Sequence, residues 1–283
     1  TTTTVYENAI ADTVVTPELI EVGEGFIAPE TQTVTVRADG TTVINYYYIR
    51  KVHTLTVDKA DGSAPVSTSY KYGADVKVSE PTRTGYTFAG WDIEVPATMP
   101  NGDVTITAKW IVNQYKITFN SNGGSAVDEI TANYGDAITT PANPTRTGYT
   151  FAGWDITIPA KMPAENLVAT AKWTLNTYSI TVNTVSGSIG SYPTTYTIES
   201  SAINIPDPTR TGYTFLGWTG TGLSGATKNL SIPAGSTGNR TYTATWSENT
   251  YTISYAIYGS GATGTAPAKA TLKYSQSYTI PAN

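Results

Sequence analysis

Few side chains in this chain of 283 residues could carry out acid–base or nucleophilic chemistry. The sequence has one histidine, His53, and no cysteine. Cys–His dyads and zinc sites built on these residues are therefore excluded or nearly so. His53 opens an alternating segment at a position that holds Tyr115 and Tyr178 in related segments. This pattern predicts a substituted strand residue rather than a general base.

Carboxylates follow a recurring tryptophan, and a pair of carboxylates could form a glycosidase site. Asp92 with Glu94, and Asp155, stand in this place in two copies, whereas Thr219 stands there in the third. A catalytic acid pair is therefore not favoured, and we expect no enzymatic activity and no catalytic residue.

Two other patterns have a simple structural interpretation. The segment 58–62 (Asp-Lys-Ala-Asp-Gly) hints at a calcium loop but lacks the further oxygen ligands of such a site, so it predicts a hairpin. Lys109 and Lys172 precede a recurring Trp and could form cross-links to Asn, but Thr245 replaces them in the third copy. We therefore expect no metal and no cofactor.

The composition restricts the partners. Charged residues make up 14% and the net charge is −5, which argues against nucleic acid and against an anionic membrane surface. No apolar run reaches the roughly 18–20 residues that span a bilayer, so we expect no membrane insertion. The expected partners are other copies of the chain or other surface proteins, with glycans as an alternative.

An internal repeat is the strongest feature of the sequence. The block Pro-Thr-Arg-Thr-Gly-Tyr-Thr-Phe-Ala-Gly-Trp at 81–91 recurs unchanged at 144–154 and, with Leu216 in place of Ala, at 208–218. Each block lies between an opening and a closing segment of alternating apolar residues, a pattern of strands. The predicted organisation is an N-terminal β segment or cap at 1–50, repeats at 51–112, 113–175 and 176–248, and a partial repeat at 249–283.

Aromatic residues recur at fixed places in the three repeats, which favours a structural core over a sugar platform, although aromatic rings can stack on sugars. The arginine of each block is expected to stack on a ring or pair with an acid. The residues predicted to form the core are Tyr86, Phe88, Trp91, Trp110, Tyr149, Phe151, Trp154, Trp173, Tyr213, Phe215, Trp218 and Trp246. The glycine before the first Trp is expected to let the indole approach a backbone.

The third repeat carries an insertion at 220–238, expected to be surface decoration or a contact site. Two Asn-x-Ser/Thr sequons, Asn229 and Asn239, lie in or beside it and are candidate glycosylation sites. In the N-terminal segment, residues 33–48 predict a β-hairpin around Asp39-Gly40. Residues 5–27 could be an irregular cap, an extended tail or a strand that pairs with a neighbouring molecule.

The repeated block, together with the Met-Pro pairs at 99–100 and 162–163 and Thr-Ala-Lys-Trp at 107–110 and 170–173, resembles the Listeria–Bacteroides repeat, also called the internalin-type B-repeat. The resemblance covers roughly residues 51–283. It implies small β-grasp-like modules, a place in large multi-repeat surface proteins, and structural, spacer or adhesive roles without catalysis. It supplies no ligand site to transfer.

The expected protein is therefore mainly β, with tandem small modules arranged as an elongated rod in an extracellular, cell-surface stalk, coat or filament. The alternative is a carbohydrate-binding or host-adhesion module that acts through exposed aromatic rings or the insertion. The chain begins with four threonines, so either a signal peptide has been removed or the sequence is a fragment. Because the fourth copy stops at 281–283, we expect the natural protein to continue or another chain to complete this copy.

Overall fold

The computed structural model describes residues 3–261 and 263–280, and these residues form strands and turns without a helix. The predicted β class is confirmed, with several small sheets in tandem. The β-grasp detail is not confirmed. The last three residues of the fourth copy, at 281–283, lie outside the described residues.

The first two repeats form similar four-stranded mixed sheets, with strand orders β6-β5-β8-β7 and β10-β9-β12-β11. In each sheet the opening strand is parallel to the closing strand, which in turn pairs antiparallel with the strand of the repeated block. The strands are β5 (Val52–Asp58), β6 (Val66–Lys71), β7 (Tyr86–Trp91), β8 (Val104–Val112), β9 (Gln114–Asn120), β10 (Ile130–Asn133), β11 (Tyr149–Trp154) and β12 (Leu167–Leu175).

The third repeat has a sheet of order β14-β13-β18-β16 and an additional strand pair, β15-β17. The fourth copy has one described strand pair, β19-β20. The strands are β13 (Tyr178–Asn183), β14 (Thr195–Tyr196), β15 (Ile203–Asn204), β16 (Tyr213–Gly220), β17 (Ser231–Ile232), β18 (Arg240–Glu248), β19 (Thr250–Ile253) and β20 (Ala270–Lys273).

The N-terminal segment folds differently from the predicted hairpin. A turn with positive φ is present at Gly40, but the strands on either side of it do not pair with each other. Strand β3 (Val34–Thr35) pairs with β1 (Val14–Val15), and β4 (Ile49–Arg50) pairs with β2 (Phe26–Ile27). The predicted hairpin at 33–48 is therefore wrong, because residues 14–15 and 26–27 supply the antiparallel partners. The strands are β1 (Val14–Val15), β2 (Phe26–Ile27), β3 (Val34–Thr35) and β4 (Ile49–Arg50).

The chain divides into two compact units. The first comprises Thr1–Lys116, Ile130–Ile138 and Pro159–Asn166, and the second comprises Ile117–Glu129, Thr139–Ile158 and Leu167–Asn283.

The fully buried side chains of the first two repeats are mostly small or aliphatic rather than aromatic. They include the methionines of the two Met-Pro pairs, each of which also joins the turn after the second strand: the Gly73 N–H donates to the Met99 carbonyl at 2.8 Å, and Gly135 does the same to Met162 at 2.9 Å. The buried residues are Leu55, Met99, Ile106, Ala108, Ile117, Phe119, Met162, Ala169 and Ala171.

The insertion of the third repeat contributes to the core of that repeat. Leu230 and Ile232 are 3% and 2% exposed, and they join a cluster with Trp218, which is 0% exposed. Thr227 forms a two-way backbone bridge to Trp218. The insertion is therefore more than surface decoration, since its second half covers the indole that is only half-buried in the other two repeats.

Candidate functional site: the joint between modules

The repeated block begins with a tight turn in which an arginine covers a tyrosine ring. The Tyr86 N–H donates to the Arg83 carbonyl at 3.1 Å, and the Arg83 guanidinium carbon lies 3.9 Å from the centre of the Tyr86 ring. The second and third repeats repeat this stack at 3.8 and 3.7 Å. The expected stacking of the arginines is confirmed, and it orders a turn in which the intervening glycine has a positive φ.

That glycine receives a large side chain from the next module. A Cβ at Gly85 would lie 2.2 Å from the ring of Tyr134, and a Cβ at Gly212 would lie 2.0 Å from the ring of Tyr274. Each of these rings also contacts the tyrosine after the glycine, as Tyr134 does on Tyr86 at a centroid distance of 5.9 Å. Any side chain on these glycines would displace the neighbouring module.

The joint between the second and third modules has the same geometry with different residues. A Cβ at Gly148 would lie 2.6 Å from the side chain of Ile198. The hydroxyl of Tyr149 donates to Oε1 of Glu199. This hydrogen bond raises the pKa of Tyr149 above its ordinary value.

A linker asparagine bonds to the preceding module in each joint between repeats, and at Asn113 and Asn249 it bonds to the following module as well. The Asn113 N–H donates to the Gly85 carbonyl at 2.9 Å, and its own carbonyl accepts from the Tyr134 N–H at 2.8 Å. The Thr87 hydroxyl also donates to Oδ1 of Asn113 at 2.6 Å. The same glycine and threonine contacts recur at Asn176 and Asn249, with identical lengths. We use the name joint for the glycine of one module with the aromatic residue that follows it, the linker residue, and the packed side chain of the next module.

The N-terminal segment ends in a joint as well, although its sequence does not match the repeat. A Cβ at Gly25 would lie 2.1 Å from the ring of Tyr72, and Phe26 meets the same ring edge-on at 5.7 Å. The Lys51 N–H donates to the Gly25 carbonyl at 2.9 Å, and its carbonyl accepts from the Tyr72 N–H at 2.8 Å. The predicted cap therefore contacts the first module through the same arrangement that links one module to the next.

The predicted aromatic residues occupy two places in each repeat. The tyrosines Tyr86, Tyr149 and Tyr213 lie in the joints. The other rings form edge-to-face clusters with centroids 5.3–5.7 Å apart, centred on Phe88, Phe151 and Phe215. These clusters are half-buried in the first two repeats, whereas Phe215 and Trp218 are buried in the third.

The closing tryptophan of each repeat fixes the opening hairpin. The indole N–H donates to a turn carbonyl: Trp110 to Lys59 at 2.7 Å, Trp173 to Ser121 at 3.0 Å. The segment 58–62 is part of this hairpin, with β5 paired to β6, so the hairpin prediction is confirmed. In the described residues, no group of three or more His, Cys, Asp or Glu side chains is placed to hold a metal ion.

The glycine before the first Trp does not serve the predicted purpose in two of the three repeats. A Cβ at Gly90 or Gly153 would meet nothing within 4 Å, but φ is +96° and +103° there. These glycines allow the irregular register between Phe and Trp. The predicted close approach is present at Gly217, where a Cβ would lie 2.6 Å from the Thr227 nitrogen.

The polar residues singled out in the sequence have structural contacts. His53 lies in β5, with Nε2 3.2 Å from Oδ1 of Asn101. Asp92 and Asp155 each accept the N–H of the closing strand, from Thr107 and Thr170, at 2.6 Å. These hydrogen bonds hold the pKa of both carboxyls below the usual range.

Lys109 and Lys172 are exposed, and the described residues contain no buried charged side chain. A Lys–Asn cross-link needs a buried environment, so the exposure of these two lysines argues against it.

Both sequons are exposed. Asn229 adopts a positive φ of 54° in the insertion. Oδ1 of Asn239 accepts the Ser179 N–H at 3.0 Å, just as Asp103 accepts from Thr54 at 2.7 Å in the first repeat. Glycosylation of these residues stays a prediction, which intact-mass measurement of the native protein would check.

Comparison with known proteins identifies the repeat. The sequence pattern of the Listeria-Bacteroides repeat domain matches residues 53–109, 115–158 and 178–245, which together cover more than half of the chain. The chain belongs to the Listeria–Bacteroides repeat family. The resemblance inferred from the repeated block is thereby confirmed.

Relatives of this repeat protein include two proteins of Evansella cellulosilytica. One, named as a Gly-rich membrane protein, is 31% identical over 74% of this chain and 26% of its own length. The second, named as a membrane protein, is 32% identical over 63% of this chain and 29% of its own length. Internalin H of Listeria monocytogenes is 34% identical over 38% of this chain and 23% of its length. The chain thus spans about a quarter of the length of these relatives.

No helix long and apolar enough to cross a membrane is present in the part of the chain that the structure describes.

The joints were not predicted from the sequence, although the sequence contains a signal for the three joints between repeats. An asparagine follows the closing tryptophan by three residues in every linker, at Asn113, Asn176 and Asn249. The N-terminal joint has no such signal, because Lys51 replaces the asparagine and makes only the backbone contacts.

Proposed function

We propose that this chain is an architectural segment of a cell-surface repeat protein, in which the joints make successive modules mechanically continuous and the array acts as a stiff spacer without catalysis. The observation that carries the proposal is the recurrence of one joint geometry at Gly25, Gly85, Gly148 and Gly212. Modules that rotate freely do not require a bare glycine beneath a packed side chain of the next module.

A surface location is supported by the names of two relatives as membrane proteins. It is tested with an antibody to the third module on intact and permeabilised cells of the source organism. Equal labelling of both supports the surface; labelling only after permeabilisation contradicts it.

Two architectures are compatible with this function: a stalk of single chains, or a polymer in which a sheet edge of one molecule accepts a strand from another. Negative-stain electron microscopy with light scattering on the 283-residue chain separates them. Isolated rods of monomer mass support the stalk, filaments or sheets support the polymer, and compact globules of monomer mass contradict the spacer proposal.

The role of the N-terminal segment in a polymer is tested by two deletions. Deletion of residues 1–22 leaves Gly25 and Phe26 on Tyr72, whereas deletion of residues 1–27 removes this joint. If strand exchange uses residues before the joint, both deletions abolish assembly. If assembly survives the longer deletion, the segment is not the strand that crosses between molecules.

A further inference from the structure

The hairpin turn of the third module is strained where the corresponding turn of the second module is not. Val185 and Ser186 have φ of 51° and 67° in the third module, at the positions of Asn122 (47°) and Gly123 (85°) in the second. Asparagine and glycine tolerate this backbone, but a β-branched residue with positive φ is an outlier. Backbone strain of this kind concentrates at functional sites.

The two turns are equivalent residue for residue. The closing indole donates to the residue before this pair in both modules, Trp173 to Ser121 and Trp246 to Thr184, at 3.0 Å. The residue after the pair is a glycine that lies under the same indole, Gly124 or Gly187.

The stacked arginine makes different contacts with the two turns. In the second module, Nη1 of Arg146 donates to the Asn122 carbonyl at 3.2 Å, and a Cβ at Gly123 would lie 3.5 Å from the guanidinium carbon. In the third module Ser186 places a side chain at this point. The Arg210 guanidinium keeps its stack on a tyrosine at 3.7 Å, but it makes no hydrogen bond or salt bridge to any residue in 3–261 and 263–280. Its N–H donors are therefore available.

A polar cleft of about 610 Å³ surrounds Arg210, a volume within the range of small-molecule sites. Hydroxyl groups line it, including those of Ser186, Ser188 and Ser275, and two aromatic rings, Tyr213 and Tyr274, form part of its wall.

The carboxylate next to this cleft, that of Glu248, already accepts a hydrogen bond. The Glu248 carboxylate accepts the Ser275 N–H at 2.8 Å. Hydrogen bonding from Ser275, first from its side chain and then from its N–H, is the main reason that the pKa of Glu248 lies below its ordinary value, with Lys273 and Arg210 contributing. Among the described residues that line the cleft, Arg210 is the one charged side chain, which favours an anion.

We propose that this cleft binds a carboxylated sugar. The guanidinium of Arg210 supplies paired N–H donors that match a carboxylate. The serine hydroxyls supply donors and acceptors for sugar hydroxyls. The inference does not depend on the proposed architectural function.

The test is isothermal titration of the full chain with digalacturonic acid, and with its dimethyl ester as a neutral ligand of the same shape. We expect the acid to bind with a Kd of about 1 mM or tighter, and the ester about tenfold more weakly. Equal binding of acid and ester, or no heat from the acid at about 10 mM, overturns the proposal.

Three variants locate the site. Arg210→Gln removes the charge and should weaken binding of the acid about tenfold or more. Arg146→Gln changes the matched arginine of the second module and should leave binding unchanged. The double variant Val185→Asn, Ser186→Gly recreates the turn of the second module, so the Arg210 guanidinium should form a hydrogen bond to the turn. Binding of the acid should then fall while the protein stays folded. Binding that falls equally with Arg146→Gln, or survives the double variant, contradicts the assignment.

Discussion

The glycine before the tyrosine in each repeated block sets how closely one module approaches the next. Its φ is +79°, +78° and +79° in the three blocks, a conformation that side chains rarely adopt. The space above it is filled by a residue of the next module. The second glycine of each block also has a positive φ, but in the first two blocks it faces open space. A comparison of alanine substitutions at the two glycines therefore separates the cost of backbone strain from the cost of contact with the next module.

Replacement of these glycines gives a direct prediction. Gly90→Ala should cost about 1–2 kcal/mol through its backbone alone. Gly85→Ala should lower the opening free energy of the first two modules by about 2–5 kcal/mol, because the new methyl group also overlaps the Tyr134 ring. Native-state hydrogen exchange of strands β8 and β9 measures both, and equal costs would show that the packing on Gly85 contributes little.

The carboxylates after the first tryptophan predict an acid sensitivity. Because the Thr170 N–H lowers the pKa of Asp155 from its ordinary 3.8, the stabilisation is present above that value and is lost as the pH falls through the lower folded-state pKa. Asp92 behaves in the same way in the first module.

The double variant Asp92→Asn, Asp155→Asn should therefore lose stability at neutral pH and show a smaller further loss below pH about 4. Thermal unfolding followed by near-ultraviolet circular dichroism between neutral and acid pH measures this. The third module, with Thr219, is the internal control; an unchanged acid response in the variant would place the sensitivity elsewhere.

At the scale of elements, each module depends on a hairpin, a closing strand and the loop between the block and that strand. In the first two modules this loop brings a methionine to the turn after the second strand. In the third module the longer loop replaces it with β17, which pairs with β15 and brings Leu230 and Ile232 into the core. The additional residues thus compensate for a missing methionine by covering Trp218.

Substitution of a buried side chain in this loop tests how much the loop contributes to the stability of the third module. Leu230→Ala should destabilise the third module by about 2–5 kcal/mol, since the side chain is buried. Leu216→Ala, at a position 48% exposed, should change stability by less than about 0.5 kcal/mol. Urea unfolding monitored by hydrogen exchange of β18 compares them; similar values would mean that the insertion is not part of the core.

The sequence could predict the features that rest on local pattern. Alternation and repetition predicted the β class, the strands around each block and the hairpin of the first repeat, because strand period and turn chemistry are local properties. The pairing of β1 with β3 could not be predicted, since its short segments have no repeat to indicate their partners. The joints were missed because their decisive contact joins a glycine to a side chain about 50 residues later in the sequence, as in Gly85 and Tyr134.

At the scale of the whole molecule, the proposed stiff array requires joints that behave as structural elements rather than as flexible linkers. Four of them recur, each within one of the two units, and three use an asparagine with the same pair of contacts. The linker residue bonds to both neighbours at Lys51, Asn113 and Asn249, and at the Asn176 joint the Tyr149–Glu199 hydrogen bond connects the two modules. Because residues held from both sides lose their freedom to rotate, we expect successive modules to keep one mutual orientation.

The most direct test of this claim is the distance distribution between two spin labels on adjacent modules. The chain has no cysteine, so Thr118→Cys in β9 and Thr181→Cys in β13, both exposed strand residues, carry the labels without further change. Double electron–electron resonance should give one narrow distribution in this protein and in the control Gly153→Ala. Gly148→Ala, which forces a methyl group against Ile198, should broaden it. A distribution that is already broad without the Gly148 substitution would contradict the claim that the joints make the modules continuous.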